Sequence, residues 1–394
     1  MAAYLDHAAT TPMYEAAIEA MTATMRTVGN ASSLHTAGRR ARALVEESRE
    51  RIGVALDARP SEVIFTSGGT ESDNLAIKGT YAARRATDPS KRTIVASAIE
   101  HHAVLDPIEF LVNTQGARVR WLGVDRGGRL LVDSLDELLA ERADSVALIS
   151  VMWANNEVGT VQPVREVVTR AQAYGIPVHT DAVQAVGHLP VSFADSGVDL
   201  MTITGHKVGG PLGIGLLLAR RSAGLVPLVH GGGQERQVRS GTLDVPGIVG
   251  LAAALDVTVA LREAQTRRLT ALRDRLIEGA LGLGLGAQVT GTWRAGDAQE
   301  RLAGHAHLII EGCEGDSLLY LLDAAGIECS TGSACQAGVP QPSHVVLALG
   351  HTEAQARGAL RLTLGHSSTD ADVEAFLGAL PAVVERARRA AGVA

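Results

Sequence analysis

The feature that most limits what this chain can fold into is the regular alternation of short apolar runs with helix-length segments between residues 62 and 219. Glu62-Val63-Ile64-Phe65-Thr66 reads as a short strand, followed by a glycine turn and a helix from about Thr70 to Arg85. Thr93–Ala96 gives the next strand, and about His102 to Asn113 the next helix. Ala117–Leu122 is strand-like, Ser134–Glu141 helical, and Val146–Val151 a continuous apolar run that reads as a buried strand. A helix over Val164–Ala173, with Pro163 suited to its first turn, and strands at Ile176–Thr180, Leu200–Ile203 and Ile214–Leu218 complete the series. Strands that alternate with helices imply an α/β fold with a mostly parallel sheet covered on both faces.

The pattern changes after about Val245. A long helical stretch reaches about Leu281, and a segment broken by Gly282, Gly284 and Gly286 follows. His305–Ile310 then reads as a strand, Asp316–Ala325 as a helix and Ala359–Leu364 as a strand. A last helix starts at Thr369, an N-cap residue with Asp370 and Asp372 in the first turn. This predicts a large domain over residues 12–255 and a smaller α+β domain over 256–394, with the N-terminal segment 1–11 packed near the latter. The length of 394 residues fits that division at ~150 residues per domain.

Composition removes several function classes. A formal net charge of −7 argues against a nucleic-acid protein driven by a broad basic surface. Three cysteines, none in a Cys-x-x-Cys pair, exclude a disulfide framework, a zinc ribbon and a thioredoxin-type motif. No HExxH or His/Cys cluster supports a metal protein. No apolar run is expected to approach the ~18 residues that span a bilayer, and no Lys or Arg precedes Arg26, as the basic region of a signal peptide would require. The expected location is the cytoplasm.

Ligands of open α/β sheets sit beyond the carboxyl ends of the strands, and four predicted strand ends carry polar residues. Ser67-Gly68-Gly69-Thr70-Glu71-Ser72 joins a strand to a helix, where free backbone N–H groups suit an anion such as phosphate; an ordinary strand–helix turn reads equally well. Asp181-Ala182-Val183-Gln184 places a carboxylate at a buried strand end, able to cap a turn or to hold a cationic ring nitrogen. Thr204-Gly205-His206-Lys207 puts a lysine in apolar, glycine-rich surroundings, where burial lowers its pKa and frees the amine to attack an aldehyde. Glu100-His101-His102-Ala103 offers imidazoles at a helix start. A phosphate cradle, a ring-nitrogen carboxylate, an imidazole and a Schiff-base lysine together match the needs of pyridoxal 5'-phosphate. In Ser330-Thr331-Gly332-Ser333-Ala334-Cys335-Gln336-Ala337-Gly338, a cysteine stands among small residues, which predicts a mobile, accessible loop and a thiol put to use. Cys313 and Cys329 lie in or beside strand patterns and read as buried structural residues.

These motifs bring a family with them. The chain resembles the class V aminotransferase superfamily, and within it the NifS/IscS-type cysteine desulfurases, over essentially its whole length. The resemblance is carried by Tyr4-Leu5-Asp6-His7-Ala8-Ala9-Thr10-Thr11, Gly29-Asn30-Ala31-Ser32-Ser33-Leu34-His35, residues 67–74 and Asn155-Asn156-Glu157-Val158-Gly159. Gly205-His206-Lys207, Gly231-Gly232-Gly233-Gln234-Glu235-Arg236, Arg239-Ser240-Gly241-Thr242, Ser333-Ala334-Cys335 and Arg361-Leu362-Thr363-Leu364-Gly365 complete it.

The resemblance implies the type I fold of pyridoxal-phosphate enzymes and a role for each matching residue. Lys207 would carry the cofactor as a Schiff base and move the substrate Cα proton. Asp181 would pair with the pyridinium nitrogen, Gln184 would hydrogen-bond the phenolic oxygen, and His101 would stack on the ring and act as acid and base. Gly69, Thr70, Thr204 and His206 would hold the phosphate, with Thr242 reaching in from the other subunit of a homodimer. Asn156 would contact cofactor or substrate, and Arg361 would clamp the substrate carboxylate through its planar fork. Cys335 would take sulfur from L-cysteine as an enzyme persulfide and release L-alanine.

The Cys335–Arg361 spacing resembles the longer-loop branch, which implies an iron–sulfur scaffold or a tRNA-thiolation protein as sulfur acceptor. By the same analogy Cys335 is a transient iron–sulfur ligand in a scaffold complex. Gly69, Thr204, Ala31, Gly209, Leu212 and His366 depart from residues common in the family. Selenocysteine lyase or another class V lyase or aminotransferase is the alternative on the same fold, and a docking module with slow chemistry the alternative of another class. Cys335 speaks against a plain aminotransferase, and Lys207, His101 and Asp181 against an inert module.

Overall fold

The computed structural model describes residues 2–332 and 342–392. Its centre is a seven-stranded sheet whose strands run, edge to edge, Val63–Thr66, Gly215–Ala219, Leu200–Thr204, Val178–Asp181, Val146–Ser150, Thr93–Ser97 and Arg118–Leu122. All run in one direction except Gly215–Ala219, which is antiparallel to both neighbours. The reversal follows from chain length. Only the turn through Gly205–Lys207 and the glycines after it separate Leu200–Thr204 from Gly215–Ala219, too little chain for a parallel crossover.

Both faces of the sheet are covered, and the strands alternate accordingly. Val63, Phe65 and Val95 point into the core that contains Ile52, Leu56, Ile248 and Leu251. Ile94 and Ala96 face Ile77, Tyr81, Val104 and Ile108, and Ile64 and Leu217 face Leu75 and Ala76. The helix after the first strand begins at Gly69–Asn74, widens at Leu75–Gly79 into a π turn and continues through Thr80–Thr87. Pro163 stands at the N-cap of Val164–Gln172, one position before the first turn expected of it. The sequence pattern did not mark the helices Glu15–Met25 and Thr36–Leu56, which pack on the N-terminal half of Val245–Gly282.

Helix Val245–Gly282 corrects one expectation. It contains an 18-residue stretch of mean hydropathy 1.6, long and apolar enough to cross a membrane by length and composition, and 61% of that stretch is buried inside the fold. The physical reason is that this helix serves two cores. Ile248, Leu251 and Leu255 enter the sheet core, while Leu269, Leu272, Leu276 and Ile277 enter a second one. The second core lies under an antiparallel sheet in the order Ala359–Thr363, His305–Ile310, Ala287–Val289, backed by helices Gly315–Ala324 and Asp370–Ala390. Ala3 and Leu5 join it, because Ala3–Tyr4 pairs in parallel with Ile327–Glu328.

One close approach shapes the sheet edge where the site forms. A Cβ on Gly215 would lie 2.7 Å from Gly68 Cα and 2.8 Å from the Ile203 carbonyl oxygen, both immovable backbone. Gly215→Val is therefore expected to lower stability by about 1–3 kcal/mol through overpacking, read as a fall in the thermal midpoint. An unchanged midpoint would show that the two backbones are free to part.

Candidate active site

The parallel strands end on one edge of the sheet, and beyond it lies a cavity of about 620 Å³. It is lined by Gly69, Thr70, His101, Asn156, Asp181, Gln184, Thr204, His206, Lys207 and Arg361, so the chain brings together every predicted site residue except Thr242 and Cys335. Thr242 is exposed and does not line the cavity within the chain. Cys335, assigned as nucleophile and transient iron–sulfur ligand, lies outside the described residues. Ser330, Gly332, Pro342 and Ser343, which flank its segment, line the cavity.

The anion cradle is backbone made. Gly68 has φ +154°, and its neighbour Gly69 opens the helix with its Cα direction closed off by Val183, whose Cγ2 would be 3.2 Å from an added Cβ. Glu71 braces the turn by accepting the Ser67 N–H at 2.8 Å, and Arg239 pairs with Glu71 at 2.9 Å. The helix start thus leaves N–H groups unpaired by the helix and directed to the cavity. Thr204, the last residue of its strand, adds a hydroxyl beside Gly68.

Asp181 is the last residue of its strand rather than the first after it. One carboxylate oxygen accepts the Val183 N–H at 2.8 Å, and no described basic side chain forms an ion pair with it. Burial, then the nearby Asp73, push its pKa up to about 7. Asp73 is pushed to about 7 by burial, with its Oδ1 3.4 Å from His179 Nε2, and Glu100 well above its usual range, with its Oε2 buried and unpaired among the described residues. Acids so placed favour a cationic group in the cavity. His179 links the layer below, with Nδ1 on Ser150 Oγ at 2.9 Å and Nε2 on Thr202 Oγ1 at 3.1 Å.

Lys207 ends a tight helical turn at Gly205–Lys207. Its ammonium donates to the Ala8 carbonyl and, at 2.6 Å, to the Ala9 carbonyl, but to no carboxylate among the described residues. Burial and Arg361 lower its pKa to about 8, so a useful fraction is free amine near neutrality. Gln184 donates to the same Ala8 carbonyl at 3.0 Å. His101 is the N-cap of helix His102–Gln115, and its Nδ1 accepts the Ala103 N–H at 3.1 Å, which fixes the neutral ring's proton on Nε2. Although part of its ring opens to the cavity, the protein packed around it and the nearby Lys207 push its pKa down to about 4.

Arg361 belongs to the smaller sheet but reaches the cavity. Its Nη2 pairs with Asp6 at 2.9 Å, its Nη1 donates to the Asn156 carbonyl at 3.2 Å, and its Nε is buried with no partner among the described residues. Asp6, Asp73, Glu157 and Ser343 are functional contacts that sequence reasoning passed over. Asp6, Asp73 and Glu157 lay inside quoted motifs, but only the fold shows what they touch. Cys313 and Cys329 are buried, and burial pushes the Cys329 thiol up to about 12, which leaves it inert.

These residues fit a phosphorylated aromatic aldehyde: a cradle that side chains would fill, a buried carboxylate with no cation, and an amine held near neutrality. The profile of the aminotransferase class-V family matches residues 3–376. The chain is 58% identical to the IscS-like cysteine desulfurase of Mycobacterium tuberculosis, covering 99% of this chain and 98% of that one. It is 44% identical to the cysteine desulfurase IscS of Methanosarcina thermophila, over 98% of this chain and 93% of that one. Among solved structures, a NifS-like protein aligns with a TM-score of 0.88 at 34% identity, over 98% of this chain and all of the other. The protein SspA, solved in complex with cysteine, aligns with a TM-score of 0.78 at 33% identity, over 93% and 99% of the two chains.

The depressed Lys207 pKa sets a pH dependence. Below about 8 the amine is protonated, so its reaction with an aldehyde should rise about tenfold per pH unit and level off above that value. The rate of pyridoxal-phosphate capture by the apoprotein, followed by absorbance, checks this; a midpoint near 10.5 would show that Lys207 is not desolvated.

Proposed function

The chain belongs to the aminotransferase class-V family, whose members are pyridoxal-phosphate-dependent, and we infer that it is a cysteine desulfurase that converts L-cysteine to L-alanine and leaves the sulfur on Cys335. The observation that carries the reading is the meeting of Lys207, Asp181 and Arg361 on one cavity whose wall continues into the residues flanking Cys335. The whole-length likeness to cysteine desulfurases supports the same substrate.

Pyridoxal phosphate, when bound, supplies an electron sink for the pair left as the substrate Cα loses its proton. The chain supplies the rest. Gly69, Thr70, Thr204 and His206 hold the phosphate, and Asp181 keeps a proton on the ring nitrogen. Gln184 and Asn156 would contact the ring oxygen and its surroundings, and His101 would cover the ring face. Arg361, steadied by Asp6 and the Asn156 carbonyl, receives the substrate carboxylate. Lys207 Nζ would hold the cofactor and, once the substrate amine takes its place there, would be free to accept the Cα proton; His101 Nε2–H would be the second proton carrier. Cys335, as thiolate, would attack the substrate sulfur: a new S–S bond forms, the Cβ–S bond breaks with its electron pair left on the substrate, and Cβ takes up a proton while Cα regains the one it lost, giving alanine.

In this reading Thr242, exposed in the single chain, completes a phosphate site across a homodimer. The persulfide is then passed to an iron–sulfur scaffold or a tRNA-thiolation acceptor.

Alanine release from L-cysteine by purified protein, run beside Cys335→Ala, tests the reading. Wild type should give alanine and a persulfide. Cys335→Ala should keep the cofactor absorbance and lose persulfide formation, whereas Lys207→Ala should lose the cofactor's covalent absorbance band. An active Cys335→Ala would overturn the nucleophile; a wild type that binds the cofactor yet releases no alanine would overturn the desulfurase reading.

A further inference from the structure

Glu157 is 3% exposed, lines the active-site cavity, and has no assigned part in the chemistry above. It sits in a turn made rigid by Asn155, whose Oδ1 accepts the N–H groups of Glu157 and Val158, each at 2.9 Å, and whose Nδ2 donates to the Ile99 carbonyl at 3.0 Å. The next residue back, Asn156, gives its carbonyl to Arg361. From this fixed point the Glu157 side chain reaches two places far apart in sequence but adjacent in space. Ser343 Oγ donates its hydrogen to Glu157 Oε2 and accepts the Val346 N–H at 3.1 Å, which makes it the N-cap of helix His344–Ala348. A Cβ on Gly332, which has φ +83°, would come within 3.2 Å of Glu157 Cγ and Oε2, so the carboxylate bounds the chain there and leaves no room for a side chain.

Gly332 and Ser343 lie on either side of the segment that carries Cys335. We propose that Glu157 is a positioning residue for sulfur transfer, holding both flanks of that segment on the turn that also holds Arg361. A tethered thiol reacts in proportion to its effective concentration at the target, and that concentration depends on where the ends of the tether are fixed. Glu157 fixes them beside the cavity and in register with the substrate's carboxylate site. Burial raises the Glu157 pKa, while the Ser343 hydroxyl, His344, Arg361 and His102 act in the opposite direction. A carboxyl group in this place tolerates either protonation state, because Ser343 Oγ is able to donate to it or accept from it.

The inference rests on the desulfurase reading. Its test compares Glu157→Ala, Glu157→Gln and Ser343→Ala with wild type in the pyridoxal-phosphate-loaded enzyme. The readouts are cofactor absorbance, KM for L-cysteine, and the single-turnover rate of persulfide formation on Cys335 by mass spectrometry. Glu157→Ala should keep the absorbance and a KM within about threefold, yet slow persulfide formation by about 10- to 100-fold, the scale on which misplacing a reacting group acts. Glu157→Gln, which keeps an acceptor oxygen for the Ser343 hydroxyl, should recover to within about threefold of wild type. Ser343→Ala should fall between the two. A merely structural role would lower cofactor content and rate and raise KM together, with no rescue by Gln, and would overturn the inference; so would wild-type persulfide formation in Glu157→Ala. A wild type that makes no persulfide would overturn the desulfurase reading, and this inference with it.

Discussion

The site depends on one side chain that three parts of the molecule share. Arg361 leaves the smaller sheet, pairs with Asp6 from the N-terminal segment, and donates to Asn156 from the turn after the large sheet's Val146–Ser150 strand. It is 6% exposed, so its charge is largely out of water and its partners are needed. Removing one partner of such a pair typically costs about 3–5 kcal/mol, because the other charge is left buried and unpaired. The same cation lowers the Lys207 pKa through space. The tuning of the amine and the seating of the second core on the first thus meet at the guanidinium proposed to receive the substrate carboxylate.

Below and beside the cavity the protein accumulates titratable groups that burial shifts toward their neutral forms. Burial pushes Asp73 and Asp181 up to about 7, and pushes His179 and His188 down to about 4. A neutral, crowded setting makes each added charge count, since water does not screen it. A cationic ring nitrogen opposite Asp181 and an anion at the Gly69 helix start each meet a protein prepared for that sign of charge. The cradle needs glycine for two reasons: a Cβ on Gly215 would run into the Gly68 backbone at 2.7 Å, and Gly68 itself holds φ +154°, a conformation that strains any other residue.

Much of this was legible in the sequence. The predicted strands lie within a residue or two of their observed bounds; most are fully buried and so have an unmistakable composition, whereas Arg118–Leu122 at the sheet edge is largely exposed. Helix Thr36–Leu56 was not read, since its apolar residues alternate with a dense run of charge. Nor was the second role of Val245–Gly282, whose apolar face shifts partway along as the helix leaves one core for the other. Among site residues, Lys207, Asp181 and His101 announce themselves by standing next to strand ends. Asp6, Glu157 and Ser343 do not, because a carboxylate or hydroxyl in a loop carries no sign of the distant group it will meet.

The sequence by itself determined the alternating α/β plan, the edge of the sheet where chemistry must occur, and the identities of the amine, carboxylate and imidazole placed there. Those follow from periodicity and from residue types adjacent in the chain, which local physics governs. Only the tertiary structure decided that Asp6 and Asn156 would hold Arg361, that Lys207 would lie among carbonyls with no carboxylate partner, and that Glu157 would touch Gly332 and Ser343 at once. Each of these joins residues more than 150 positions apart or depends on how far water is excluded. Both are properties of packing, and no stretch of sequence contains them.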